Sequence, residues 1–441
     1  MALPSGASEM ERVAALPLAL REAWIAKLAA AELEGLAWDW RRWARAGQRA
    51  PEEVWRTWLI LAGRGFGKTR AGAEWVRARA ESDDTARIAL VAATMAEARA
   101  VMVEGASGLL AIASPEQRPS FESSLRRLKW PGGAQAFLYS AAEPDSLRGP
   151  QHHCAWADEI GKWPHGIETW DNLAMGLRLG TDPRTVATTT PRAVALVRRL
   201  IAGTGVVVTR GTTGDNSAHL APAFLAGMRE AYDGTLLGRQ ELGGELIGEV
   251  EGALWSRDLI ERQRVAVAPP FARVPIGVDP PAGAGATSDA CGIVVAGLGE
   301  DGRAYVLADC SVQGVSPERW ARAVAEAAAL WFVDRVVAEA NNGGAMVESV
   351  LRAADATLPV DLVHASHGKV ARAEPVAALY EAGRAFHVGL FAQLEDEMAG
   401  LMAGGGYEGP GRSPDRADAL VWAMHELMLG KRAGRPAVRR L

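Results

Sequence analysis

Cysteine is nearly absent: the 441-residue chain has three, Cys154, Cys291 and Cys310. Odd in number, far apart and without a C-x-x-C pair, they exclude a disulfide framework and a zinc knuckle and suit a reducing cytoplasm. No apolar run approaches the roughly 18 residues of a membrane-spanning helix. Glu9, Glu11 and Arg12 interrupt the apolar stretch that a signal peptide needs, so the chain is expected to be neither secreted nor membrane-bound. Lysine is scarce, six residues against 42 arginines, a bias that GC-rich coding explains before phosphate recognition does. Positive charge is in deficit as well. The formal net charge of −5 excludes a protein that coats nucleic acid through bulk positive charge. Residues 1–250 balance at 29 cations and 29 acids, whereas residues 251–441 carry 19 cations against 24 acids. Five of those cations lie in an acid-free tail from Lys431, leaving 14 against 24 over residues 251–430. Such an excess is a solvated surface or, in part, carboxylates gathered to hold metal. Internal repeats and low-complexity tracts are lacking too.

What is present is ample core material: 49% hydrophobic and 23% charged residues. At about 150 residues per domain this length predicts two or three domains. Residues 9–46 have apolar positions at mixed three and four spacing (Val13, Leu16, Leu20, Trp24, Leu28) and predict an N-terminal helical layer, residues 1–50. From Trp55, short apolar runs alternate with helical stretches (WRTWLILAG, RIALVAAT, AFLYSAA, HHCAWAD, RTVATTT, GVVVTRGTT), which predicts a largely parallel sheet over residues 51–250. Residues 251–270 look like a linker. A second block, 271–430, opens with PIGVD and two strands joined by a turn at Glu300, Asp301 and Gly302. Strands and helices then alternate as far as a strand at PVDLVHAS, and only helices follow, the last from about Asp415 to Leu429, the order of an RNase H-like fold. The fold class expected is therefore α/β, a parallel-rich first domain, which the motif described next assigns to the P-loop (ASCE-type) ATPases, followed by an RNase H-like domain and the basic tail 431–441.

Two chemistries stand out. The segment Gly63, Arg64, Gly65, Phe66, Gly67, Lys68, Thr69 nearly fits G-x-x-x-x-G-K-[ST], with Ala62 where the first glycine belongs. Such a loop turns its N–H groups toward phosphate oxygens, with Lys68 reaching the β/γ-phosphates of ATP and Thr69 a ligand to Mg²⁺. Asp158 and Glu159, at the end of an apolar run about 90 residues on, supply a metal ligand and a base that polarises water. Thr189 and Thr190 end the next strand where hydroxyls could sense the γ-phosphate, while Arg64 and Arg148 are candidates for neutralising the transferring phosphoryl group.

In the second block, Asp279 and Glu339 end strands, and Asp415 and Asp418 lie one turn apart at the start of the last helix. Acids so placed can converge on two divalent ions, and an oxygen-only donor set favours Mg²⁺ or Mn²⁺. Glu339 sits in an otherwise apolar run, where an unpaired carboxylate is costly. Asp289 is an accessory ligand or a turn residue.

Six ordered stretches (GRGFGKTRAGAEW, DSLRGPQHHCAWADEIGKW, TTTP, GVD, AEANNGG and PDRADALVWA) resemble the large terminase subunits of tailed phages, prophages and gene transfer agents, over roughly residues 45–430. The resemblance implies an ATP-driven translocase of double-stranded DNA joined to an endonuclease. It would work in the host cytoplasm as a homo-oligomeric ring on the portal protein of a prohead, with a small terminase subunit. It implies phosphate and Mg²⁺ binding by Lys68 and Thr69, Mg²⁺ binding by Asp158, a catalytic base in Glu159, a coupling motif in Thr189 and Thr190, and a loose match of Gln48 to an adenine contact. It matches Asp279 and Glu339 to the first two nuclease ligands and Asp418, ahead of Asp415, to the third. Arg148 corresponds to a trans-acting finger of some relatives and Arg64 to the phosphate-loop arginine of others. The rival from another class is a P-loop helicase or remodelling ATPase whose RNase H-like domain only binds; the acid set discriminates between them.

Overall fold

The computed structural model describes residues 6–232, 234–248, 252–281, 289–341, 343–365 and 368–430. The basic tail from Lys431 lies outside the described residues. The chain divides into two compact units, residues 1–247 and 248–441. No helix among the described residues is long and apolar enough to cross a membrane.

The first unit is built on eight strands: β1 (Thr57–Ala62), β2 (Arg87–Ala92), β3 (Ser120–Glu122), β4 (Arg127–Lys129), β5 (Gln135–Ser140), β6 (Cys154–Ala157), β7 (Arg184–Thr189) and β8 (Val206–Gly211). Their order is β3-β4-β5-β2-β6-β7-β1-β8. The six strands from β5 to β8 pair in parallel, and only β3 and β4 join antiparallel at one edge. Alternation along β1 explains its complete burial: Trp58, Ile60 and Ala62 face one core with the helix Lys68–Ser82, and Leu59 and Leu61 face a second with the helices Gly166–Gly176 and Ala195–Ile201. The six expected strands are all present. The predicted N-terminal helices form as short pieces, Glu9–Ala14, Leu18–Ile25, Ala30–Gly35 and Trp40–Trp43, because Pro17 and turns between them interrupt the apolar spacing.

The second unit carries β9 (Arg264–Val265), β10 (Phe271–Arg273), β11 (Pro275–Asp279), β12 (Ala290–Gly299), β13 (Ala304–Asp309), β14 (Val312–Gln313), β15 (Arg335–Glu339), β16 (Val360–Val363) and β17 (Ala385–Val388). The sheet runs β16-β15-β11-β12-β13-β17-β9, with β10 and β14 also on β12. Strands β11, β12 and β13 are successive antiparallel neighbours, and β15 and β16 add in parallel beside β11. Both faces are covered: Val294, Ala296 and Leu298 of β12 face the helices Lys369–Glu381, Ala392–Ala399 and Asp415–Met424, while Ile293 and Val295 face Pro317–Leu330 and Ala345–Ala354. The fold class is the mixed α/β one expected, parallel-rich sheet first and RNase H-like sheet second. The stretch expected as a linker is ordered differently: Trp255, Leu259 and Ile260 are buried in the second core, and the helix Arg257–Arg262 leads into β9. Strand β17 falls where only helices were expected, its polar His387 hiding an otherwise short apolar run.

One contact sets the position of the last helix. Glycines at 277 in β11 and 292 in β12 let the helix Asp415–Met424 lie with its backbone on the sheet: a Cβ at 277 would run into the Ala419 carbonyl oxygen, and one at 292 into that of Asp415. The same close approach carries Asp415 and Asp418 to the end of β11, where Asp279 stands. Replacing Gly277 by Ala is expected to cost about 1–3 kcal/mol of stability, the range for overpacking a close-packed contact, measured by denaturant unfolding. It should also weaken Mn²⁺ binding, because the helix must lift away from Asp279.

Candidate functional site

At the carboxyl edge of the first sheet, β7 lies between β1 and β6, so the threonines ending β7 stand between the phosphate loop and the acids after β6. The loop turns through Gly67 at a φ of 97°, a left-handed conformation open to glycine. Its carbonyls are all engaged: the Gly63 oxygen accepts from Lys68 Nζ (3.1 Å), that of Arg64 from Thr213 Oγ1 (2.6 Å), that of Gly65 from Asn216 Nδ2 (2.6 Å), and that of Phe66 from Gln48 Nε2 (3.2 Å) and the Arg45 guanidinium. The Arg45 guanidinium also lies 5.4 Å from the Phe66 ring centroid. Ala62, the departure from the motif, ends β1 buried, and its carbonyl accepts from Lys68 Nζ at 2.9 Å.

Lys68 is buried, and burial lowers its pKa against the pull of Glu159 and Asp158. Its ammonium stands 3.8 Å from Glu159 Oε1 and 3.5 Å from Thr190 Oγ1. The Glu159 carboxylate accepts from the Thr190 backbone N–H at 3.3 Å, and Thr188 Oγ1 donates to Asp158 Oδ1 at 2.5 Å. Thr189 Oγ1 accepts the Gly161 N–H at 3.1 Å and so fixes the turn after the acids. Burial, then the neighbouring Glu159 charge, pushes Asp158 up to about 7, a shift that a cation would reverse. Glu159 itself holds a φ of 48°, rare for a side-chain-bearing residue and a form of strain that concentrates at functional sites.

The two arginines part company here. Arg64 Nε pairs with Glu241 at 2.6 Å, and its charge acts on both Glu159 and Lys68. Arg148 is exposed and turned to Asp145 (3.1 Å), Glu168 (3.8 Å) and Asn172 (3.4 Å), none of which belongs to the phosphate-loop cluster. Gln48 is buried beneath the loop, its Oε1 accepting the Arg45 N–H at 3.2 Å and its Nε2 donating to Phe66, so it braces the loop.

In the second unit, Asp279, Glu339 and Asp418 each offer an oxygen within 4.8 Å of the others, and all three are buried. Asp415 is buried beside them, joined through Lys369 Nζ, 2.8 Å from Asp279 and 3.3 Å from Asp415. Asp289 is exposed just before β12 and lies outside this group. The site fits divalent metal on one specific ground beyond its all-oxygen donors: Asp418 Oδ1 is buried with no hydrogen-bond partner among the described residues, an acceptor that a cation would satisfy. The start of the ligand helix is fixed by Glu397, which accepts the N–H groups of Arg416 (2.7 Å) and Ala417 (3.2 Å), while Arg416 reaches back to Asp309 at the end of β13 (2.9 Å).

Sequence reasoning missed the braces: Arg45, Thr213, Asn216 and Glu241 around the loop, and Lys369, Arg372, Trp422 and Glu397 around the acids. The signals available were faint. Lys369 is one of only six lysines, and Arg372 follows it by one helical turn.

Residues 59–262 match the family described as terminase large subunit, T4likevirus-type, N-terminal, and residues 276–427 match the terminase RNaseH-like domain. No curated protein matches the chain. Among solved structures it is similar to the large terminase of a thermophilic bacteriophage in complex with ADP (14% identity, 89% of this chain and 98% of that one, TM-score 0.40). It is similar also to the large terminase of bacteriophage HK97 (14% identity, 90% and 94%, TM-score 0.36) and to the large terminase nuclease of the thermophilic phage G20c (16% identity, 35% and 82%, TM-score 0.28). The two family matches together span most of the chain, including the phosphate loop, Asp158 and Glu159, and all four acids of the second site, and on them this chain belongs to the terminase large-subunit family.

Proposed function

We propose that the protein is an ATP-driven motor that translocates double-stranded DNA into a viral or virus-like prohead and cuts it with a two-metal endonuclease. It would act in the host cytoplasm as a ring on the portal, with a small terminase subunit. The observation that carries this reading is the convergence of buried Asp279, Glu339 and Asp418 within 4.8 Å in a chain that also holds a braced phosphate loop. A domain that merely binds has no use for three buried carboxylates, each of which costs free energy unless compensated.

The roles follow from position. The loop N–H groups and Lys68 receive the phosphates of ATP, Thr69 and Asp158 hold its Mg²⁺, and Glu159 takes a proton from the attacking water. Thr190, between Lys68 and Glu159, can report loss of the γ-phosphate to β7, with Thr189 holding the turn beyond. Arg64 serves in cis, on the support of its place within the phosphate loop, whereas Arg148 is engaged by its own surface acids. In the nuclease, Asp279, Glu339, Asp418 and Asp415 hold the ions and line up the scissile phosphate. Divalent ions, where bound, supply the positive charge that the phosphates of ATP and DNA need as they react.

Incubating the full chain with plasmid and Mn²⁺ beside an Asp279→Asn control tests the nuclease: cleavage by the parent and none by the variant is expected, and cleavage that survives the substitution sinks the assignment. Glu159→Gln should lower ATP turnover by about 100-fold or more with nucleotide binding retained, in keeping with loss of a general base. Arg64→Ala should lower turnover by about 1,000-fold, the lower end for a phosphoryl-stabilising arginine. Steady-state turnover and a nucleotide-binding titration distinguish these outcomes from loss of the fold.

A further inference from the structure

The carboxylate cluster holds a cation of its own. Lys369 Nζ lies 2.8 Å from Asp279 Oδ2, 3.0 Å from Ser413 Oγ, 3.3 Å from Asp415 Oδ1 and 3.4 Å from Asp418 Oδ2. One ammonium is therefore shared among three carboxylates, two of which, Asp279 and Asp418, belong to the trio that could hold metal. Arg372, one turn along the same helix, is placed otherwise. Its guanidinium contacts Asp418 Oδ2 (2.5 Å) and Glu339 Oε2 (3.2 Å) and lies 4.8 Å from the Trp422 ring centroid, and Trp422 Nε1 donates to the same Glu339 oxygen at 2.8 Å. That cation is stacked and enclosed. The Lys369 side chain keeps 34% of its surface exposed and hangs on a flexible four-carbon stem, so it can swing outward without unpacking a neighbour.

We propose that Lys369 is a resident counter-ion occupying one cation position of the nuclease cluster, and that full loading of the cluster with divalent metal displaces its ammonium. The proposal rests on the reading of this cluster as a metal-dependent nuclease. Charge supports it. Asp279, Glu339, Asp415 and Asp418 bring four negative charges, and Lys369 and Arg372 return two. The remaining deficit of two is met by one divalent ion. A second ion with Lys369 still in place would raise the cluster to a net charge of +2, which release of the ammonium lowers to +1 before any phosphate arrives, and at such range like charges repel strongly in a buried site. Geometry agrees. Lys369 engages Asp279 Oδ2 and Asp418 Oδ2, while the partnerless Asp418 Oδ1 stays open to a first ion. The ammonium thus keeps the acids packed and neutralised without metal, and its departure marks full loading.

The test uses the full chain, Mn²⁺ as the probe and no DNA. Calorimetric titration should show Lys369→Met binding Mn²⁺ about tenfold more tightly than the parent, the effect of removing one competing charge at hydrogen-bond range. The metal-free variant should melt at a lower temperature. Because that variant could unfold, a second measurement uses the parent: acetylation of Lys369 by an amine-reactive reagent, followed by peptide mass spectrometry, should accelerate when Mn²⁺ is added. Exposed Lys27 should react at an unchanged rate. Equal or weaker Mn²⁺ binding by Lys369→Met, or acetylation that Mn²⁺ slows or leaves alone, overturns the proposal. Asp279→Asn separates the two levels. If it abolishes the Mn²⁺ effects while Lys369 neither competes nor is released, only the displacement idea falls; if it binds Mn²⁺ like the parent, the nuclease reading falls with it.

Discussion

A charged group taken out of water must meet an opposite charge or a set of dipoles, and both candidate sites are organised by that requirement. Lys68, Asp158, Asp279, Glu339, Asp415 and Asp418 are all buried. In the first unit the compensation is short and local: Lys68 is held by two loop carbonyls and faces Glu159, while Asp158 takes a hydroxyl from Thr188. In the second it is supplied from another element, the helix Lys369–Glu381, whose Lys369 and Arg372 point at acids brought together by two strands and a helix. Each arrangement leaves the acids short of positive charge, which is the electrostatic condition for admitting a divalent ion.

The sheets make this possible because parallel strands end at the same edge. Placing β7 between β1 and β6 brings a run of threonines to the gap between base and ammonium, and consecutive residues divide the work: Thr188 on Asp158, Thr189 on the following turn, Thr190 on Glu159 and Lys68. The second unit cannot use strand ends alone, since its third acid comes from a helix. It solves the problem by thinning the sheet at Gly277 and Gly292, so that backbone meets backbone and Asp418 arrives beside Asp279 and Glu339.

These differences explain what could be read in the sequence. Strands of five or six residues with unbroken apolar runs, such as β1 and β2, declare themselves; pieces of two or three residues such as β9, β10 and β14 do not, because their pairing is decided by a neighbour far away in the chain. Likewise the glycines, lysine and threonine of the phosphate loop stand in a register that chemistry fixes. Arg45 and Asn216, which tie the loop's carbonyls, are separated by 171 residues and follow no spacing at all. Asp279, Glu339 and Asp418 were legible from their places at element ends. Lys369 and Arg372 were not, since a lysine and an arginine one turn apart on a helix are ordinarily a solvated pair, and only the tertiary structure turns them inward.

The net charge takes on a different meaning in this light. Residues 251–430 carry 14 cations against 24 acids, yet the acids that matter most are not on the surface where bulk charge would act on DNA. Four of them are buried in one cluster with two cations of their own, and Glu397 and Asp309 are spent on fixing Arg416 and the helix start. A buried carboxylate contributes little to the potential a distant phosphate feels, because solvent and nearby cations screen it, but it contributes strongly to the affinity of the site for a small divalent ion. Whole-chain charge therefore says little about a DNA partner here, and the local balance within a few ångströms of Asp418 says a good deal.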